Sequence, residues 1–171
     1  MDRPWMPAPV ARFLQEDESV VVEELAQDQQ VKEHFGNRDR SAEGVLVLTT
    51  LKFLFYRPNR DVGHAYPYRL LSEVSVNKGV GSGMVRVKGV DGIVGAWLVR
   101  KRFTDQAEAA WTTAQRLMAQ FAVPVELARG TLQPNGFGVC ERCGSSFLQN
   151  LTWCSGCGRE VVLGALREGT E

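Results

Sequence analysis

Four cysteines occur in the 171-residue chain, and they form two pairs: Cys140-Glu141-Arg142-Cys143 and Cys154-Ser155-Gly156-Cys157. Within a Cys-x-x-Cys pair the two intervening residues let both sulfurs turn toward one point. The ten-residue spacer between the pairs lets the second fold back onto the first. Four converging thiolates are the donor set of a closed tetrahedral Zn²⁺ site. Such a site supplies folding free energy to the segment that carries it, because the ligands come together only in the folded chain. Four thiolates leave no open position for water, and neither His34 nor His64 lies near the cluster in sequence. The expected cofactor is therefore one structural zinc ion rather than a catalytic one. Two other readings of the cysteines stand beside this one. A redox dithiol needs one pair opening a helix in a βαβ setting, whereas each pair here is followed by a glycine, Gly144 or Gly158, which suits a tight knuckle. A disulfide framework needs an oxidising compartment, and nothing marks the chain as exported.

The segment from Cys140 to Gly158 resembles a zinc ribbon. The likeness rests on the Cys-x-x-Cys-Gly knuckles, on Phe147 after the first knuckle and on Trp153 just before the second. Zinc ribbons serve nucleic-acid binding, protein docking and plain structural stapling, so the resemblance implies a metal and leaves the function open.

The elements that must position this cluster come from the rest of the chain. An apolar fraction of 44% is enough for a packed core. Formal charge is zero, which argues against a generic polyanion binder, but it is unevenly spread. Residues 1–43 carry five basic and ten acidic side chains, residues 44–103 ten basic and three acidic, and residues 104–171 five basic and seven acidic. The middle region could present a basic face; the bland alternative is solvated strand faces paired with nearby acids. The start of the chain has prolines and no apolar run of signal-peptide type, and no stretch of about 18 apolar residues spans a bilayer. With a reduced thiol cluster, these features lead us to expect a cytoplasmic protein, peripheral to a membrane if it meets one.

Residues 1–17 read as a Pro-rich arm with a short helix near 9–14. The triple valine at 20–22 favours a strand over 18–26. Strands follow at 45–48 and 53–56 around a turn, then at 65–68, 71–76, 84–89 and 93–99, with Asp91-Gly92 a hairpin signal. The period then changes. Ala107, Ala110, Trp111, Ala114, Leu117, Met118 and Phe121 recur at helical spacing, with Thr104 as the expected N-cap and Pro124 as the stop. This stripe reads as core; a partner groove is the other possibility. Residues 123–138 read as a linker, 139–164 as the ribbon and 165–171 as a tail.

Seven short strands and a closing helix over 18–122 resemble the pleckstrin-homology (PH) superfold, in particular its GRAM-like and bacterial PH-like families. The likeness is carried by Gly44-Val45-Leu46-Val47-Leu48-Thr49-Thr50-Leu51-Lys52-Phe53-Leu54-Phe55-Tyr56, by the stretch from Pro67 to Val76, and by Trp111 in the closing helix. The fold class implied is mainly β: two small sheets packed face to face, one helix plugging an open end, and the zinc ribbon appended. The resemblance implies a non-enzymatic module that docks to a protein partner or an anionic membrane surface. In phosphoinositide-binding members the headgroup sits among the loops after strands one, three and six. Here those loops hold Arg38, Arg40 and Arg60, the candidate lipid or partner contacts, together with Val90-Asp91-Gly92. Arg38-x-Arg40 departs from the family pattern: it falls in a loop rather than on a strand, and Glu33, Asp39 and Glu43 dilute its charge. A second basic group, Lys52, Lys78 and Arg100-Lys101-Arg102, is expected at the opposite rim, facing either anionic lipid or the acidic N-terminal segment of its own chain.

Nucleic-acid binding through the ribbon is the alternative function. Residues 131–171 hold only Arg142, Arg159 and Arg167 against four acids, so phosphate attraction is weak, and Phe147 and Trp153 suit packing around the metal better than base stacking. Enzyme chemistry has no motif behind it: there is no phosphate loop, Gly81-Ser82-Gly83 is a turn rather than a nucleophile elbow, and both histidines are isolated.

Overall fold

Side-chain alternation sets the main sheet. In β2 (Ala42–Thr49) Leu46 and Leu48 point to one face and Val47 to the other; in β3 (Lys52–Arg57) Phe53 and Phe55 share the first face while Leu54 and Tyr56 take the second. Such β-branched and aromatic side chains fit a pleated surface. The two strands pair as a hairpin from Val45↔Tyr56 to Leu48↔Phe53. All of Lys52 to Tyr56 is buried, so β3 is covered on both faces.

The computed structural model describes residues 8–28, 42–123 and 125–164. A short helix α1 (Ala8–Ala11) leads into β1 (Val20–Asp28), then β2 and β3, β4 (Val62–Pro67), β5 (Leu71–Lys78), β6 (Ser82–Gly89), β7 (Val94–Arg100) and α2 (Lys101–Gln120). Instead of two separate sheets facing each other, the strands form one antiparallel seven-stranded sheet in the order β4-β3-β2-β1-β7-β6-β5. It bends where β1 meets β7, a junction of only two residue pairs, Gln27↔Leu98 and Asp28↔Trp97. The bend brings the two halves around a shared interior, and the sheet stays open between β4 and β5. Trp97 fills that interior: Tyr66 meets it edge-on at 4.9 Å between ring centroids and Phe53 stacks at 6.1 Å. This is the strand order and closing helix of a PH-like fold, so the chain is mainly β as expected.

Helix α2 begins at Lys101, three residues before the expected cap. Thr104 is buried in the first turn, and its hydroxyl donates back to the Lys101 carbonyl. The apolar stripe of α2 divides along its length. Phe103, Ala107, Trp111 and Ala114 are buried over β5, β6 and β7, whereas Leu117 is 44% and Phe121 67% exposed. The stripe outruns the sheet beneath it.

The connector expected over 123–138 carries structure of its own. β8 (Leu127–Leu132) and β9 (Phe137–Cys140), with β10 (Ser146–Leu148) and β11 (Glu160–Gly164), make a second sheet in the order β10-β9-β8-β11, with β11 parallel to β8. Phe147 lies across the middle of it: a Cβ on Gly138 would stand 2.4 Å from its ring and one on Gly130 2.8 Å away. The glycines that read as linker composition are the floor under an aromatic ring.

Candidate metal centre

The two Cys-x-x-Cys pairs form matched knuckles. In the first, the Gly144 N–H donates to the Cys140 carbonyl at 2.8 Å and the Cys140 N–H donates to Ser145 at 2.9 Å; in the second, Gly158 donates to Cys154 at 2.7 Å and Cys154 to Arg159 at 2.8 Å. Closing each turn needs a left-handed residue, and Gly144 and Gly158 supply it with φ of 76° and 79°.

These turns aim all four sulfurs at one point. The Sγ atoms of Cys140, Cys143, Cys154 and Cys157 lie within 4.8 Å of one another and all four residues are buried. Cys140 and Cys157 are 3.9 Å apart, and Cys143 and Cys154 are 3.6 Å apart. Sulfurs on a tetrahedron with bonds of about 2.3 Å stand about 3.8 Å from each other, so the cluster has the size that a thiolate-bound metal ion requires. The thiols perturb one another: hydrogen bonds from neighbouring sulfurs hold Cys140 and Cys157 below the ordinary thiol range and leave Cys143 and Cys154 above it.

The cluster does not stand free on its own small sheet. It joins a second apolar core with Val47, Leu54, Tyr56 and Ala65 from the back of the main sheet, Phe147 from the small one, and Val10 and Phe13 from the N-terminal segment. Trp153, just before the second knuckle, joins the main core. The N–H of Ala65, on edge strand β4, donates to the Ser155 carbonyl at 2.8 Å. The metal centre is therefore a joint between the two sheets.

Four basic side chains encircle the knuckles and donate to nearby carbonyls. Arg12 donates from Nε to Cys143 O at 3.0 Å and pairs with Asp61 at 3.1 Å. Lys52 donates from Nζ to Cys157 O at 2.7 Å and to the Phe13 carbonyl, and pairs with Glu18 at 2.9 Å. Arg69 donates to Gly158 O at 2.8 Å, and Arg159 donates to Arg12 O at 3.1 Å and Leu14 O at 2.6 Å. A divalent ion held by four thiolates carries a net charge of about −2, and these cations offset it. Burial pulls the Lys52 ammonium below its ordinary range, against the pull of Glu18. Hydrogen bonds from Tyr56 and Arg12 hold the Asp61 carboxyl below its own.

The other sequence candidates fare differently. Arg38, Arg40 and His34 lie outside the described residues. Arg60 sits in the exposed turn between β3 and β4. His64 lies on β4 rather than in a turn. Lys52 is not on a rim: its side chain is 1% exposed. Lys78 pairs with Asp105 and Glu108 on α2, and Arg100 with Glu24 on β1. Two of these cations thus meet the acidic N-terminal segment, through Glu18 and Glu24. The ring of Arg12, Lys52, Arg69 and Arg159 was not legible as a group, because its members come from four distant segments. One signal was present: the unbroken apolar run 53–56 announces a strand buried on both faces.

Comparison with known proteins adds little to these observations. No family model matches the chain, and no curated protein does. Solved structures similar to it include the Vps36 N-terminal PH domain, at 11% identity and a TM-score of 0.47 over 63% of this chain and 86% of that one. Another is the C-terminal domain of an unknown protein from Leishmania infantum, at 15% identity and a TM-score of 0.41 over 57% of this chain and 84% of that one.

Proposed function

We infer that the chain is a non-enzymatic docking module in which a PH-like domain binds a protein partner and a structural zinc ion rivets the second sheet to its back. The observation that carries this reading is the enclosure of the four thiolates. Four soft sulfurs in a tetrahedron select zinc among common divalent ions. Buried between two sheets, such an ion has no face for a substrate, so its role is to hold the sheets together. The chemistry left to the molecule is then that of its surfaces. Four thiolates also fit a reducing compartment, which favours the cytoplasm. No helix among the described residues is long and apolar enough to cross a membrane.

Elemental analysis of the purified, reduced protein tests the metal half of the proposal. One zinc per chain, released by chelation with loss of order in both sheets, is the expected result. Stoichiometric iron with visible absorbance, or metal-free protein whose thiols cycle reversibly between disulfide and dithiol, would refute it. The docking half is tested by the cross-linking experiment below.

A further inference from the structure

The end of α2 that outruns the sheet leaves a groove. Between α2 and the β1–β2 side of the main sheet lie two adjoining apolar depressions of 320 and 180 Å³. They share Thr50, Tyr68, Ala114 and Leu117. Val21 lines the outer end at 61% exposure and Phe121 the inner end at 67%. Isolated exposed apolar residues are ordinary, but here they line one continuous trough, the pattern that marks interaction sites. Lining residues on α2 run from Gln106 to Met118, a span of about 18 Å at the helical rise, and Phe121 follows just past the helix end.

Beyond Leu51 the groove changes character. Leu51 also lines a polar depression of 260 Å³ whose walls include Glu16, Asp17, Glu126 and Arg142. Glu126 pairs with Arg142 at 2.8 Å and Arg159 at 3.3 Å. Glu16 and Asp17 are exposed, and among the described residues neither carboxylate is ion-paired. The trough is thus apolar along its length and negative at one end.

We propose that this groove binds a segment of another protein with a run of apolar side chains ending in lysine or arginine, the apolar run lying along Leu117 and Phe121 and the cation over Glu16 and Asp17. The inference rests on the docking reading above and gives it a place and a partner chemistry. Charge complementarity selects the occupant: the acidic end repels an anionic lipid surface and attracts a basic side chain. An apolar strip against α2 with a charged anchor at its end fixes both register and direction of the incoming chain.

Site-specific photo-cross-linking in living cells that make the protein tests this. Benzoylphenylalanine replaces Phe121 in one variant of the full chain and Leu148, exposed on the second sheet, in another. The expected result is a protein adduct at 121 whose cross-linked peptide, read by mass spectrometry, holds an apolar run next to a lysine or arginine. In the Glu16→Lys/Asp17→Lys background its yield should fall about tenfold, the loss for 1.4 kcal/mol of affinity. An adduct with a second copy of this chain, an adduct with lipid, or a yield unaffected by the charge reversal would each overturn the inference. Adducts at 148 alone would overturn the groove while leaving the docking reading standing, and adducts at neither position would overturn both.

Discussion

Replacing Lys52 by methionine puts the joint between the two sheets under a direct test. Lys52 and Glu18 are 2.9 Å apart, with side chains 1% and 0% exposed. At that distance and an effective dielectric of 20 their attraction is about 6 kcal/mol, set against a desolvation cost of several kcal/mol for each ion. The pair as a whole is therefore close to neutral, but each half is costly without the other. Lys52→Met strands the Glu18 carboxylate, which keeps hydrogen bonds from Thr49 Oγ1 at 2.5 Å and Gln15 N at 2.8 Å but loses its cation. It also removes the donor to the carbonyls of Phe13 and Cys157. Breaking a buried pair in this way costs about 3–5 kcal/mol. Glu18→Leu, which strands the ammonium, should cost about the same. The double variant strands no charge; the carbonyls of Phe13 and Cys157 and the Gln15 N–H each lose a partner, at about 1 kcal/mol each, while the Thr49 hydroxyl keeps the Lys52 carbonyl at 3.1 Å.

The assay is urea and thermal unfolding of the wild type, the two single variants and the double variant, each saturated with zinc. For a chain of this size 1 kcal/mol shifts Tm by about 2–4 °C, so each single variant should melt about 6–20 °C lower, with the double variant above both. Coupling this strong appears only between groups in contact. Single variants that each cost under about 1 kcal/mol, or effects that add within about 0.5 kcal/mol, would refute the buried pair.

The metal centre gives further expectations. Cys143→Ser should drop the zinc content from one per chain to near zero by elemental analysis, because three thiolates and a hydroxyl make a far poorer site. Chelation should raise amide hydrogen exchange in β2, β3 and β4 as well as in the small sheet, since they share one core with the cysteines; exchange confined to 127–164 would refute the shared core. Gly144→Ala and Gly158→Ala separate backbone strain from contact. Both residues have positive φ, costing about 1–2 kcal/mol for an alanine. Only at Gly158 would the new Cβ also press on Pro67 Cγ, at 2.8 Å, so that variant should be the less stable by urea unfolding.

The strands and the cysteine cluster could be read directly because each rests on local signals. Unbroken runs of β-branched and aromatic residues mark β2 and β3, alternation of Val85 and Val87 with Arg86 and Lys88 marks β6, and Cys-x-x-Cys-Gly writes out a knuckle. What escaped is non-local. Glycine and proline between 124 and 138 read as linker, because nothing in the sequence says that Phe147 will lie on Gly130 and Gly138. Lys52 read as a rim residue because a lysine three positions past a Leu-Thr strand end is normally solvated. Its burial depends on Glu18, 34 residues earlier, and on Cys157, 105 residues later. Leu117 and Phe121 have the helical spacing of core positions, but spacing does not reveal where the sheet beneath a helix stops.

The charge split along the chain takes on a different meaning once these contacts are placed. The excess of basic residues in 44–103 suggested a face for an anionic partner. Lys52 points inward to Glu18 and the second knuckle, Arg69 donates to Gly158, Arg100 pairs with Glu24, and Lys78 pairs across to α2. The first three of these cations tie the acidic N-terminal segment and the thiolate cluster to the sheet, and Lys78 ties α2 to β5. A lobe of about 40 residues is too small to bury an adequate core alone and needs a metal or a neighbour. Here it has both, and the cations that bind it to the main sheet are the same ones that offset the negative charge of its metal centre. Lys52 and Arg69 from the basic region thus stabilise an internal joint, and among the described residues the unpaired charge at the apolar groove is the acidic end formed by Glu16 and Asp17.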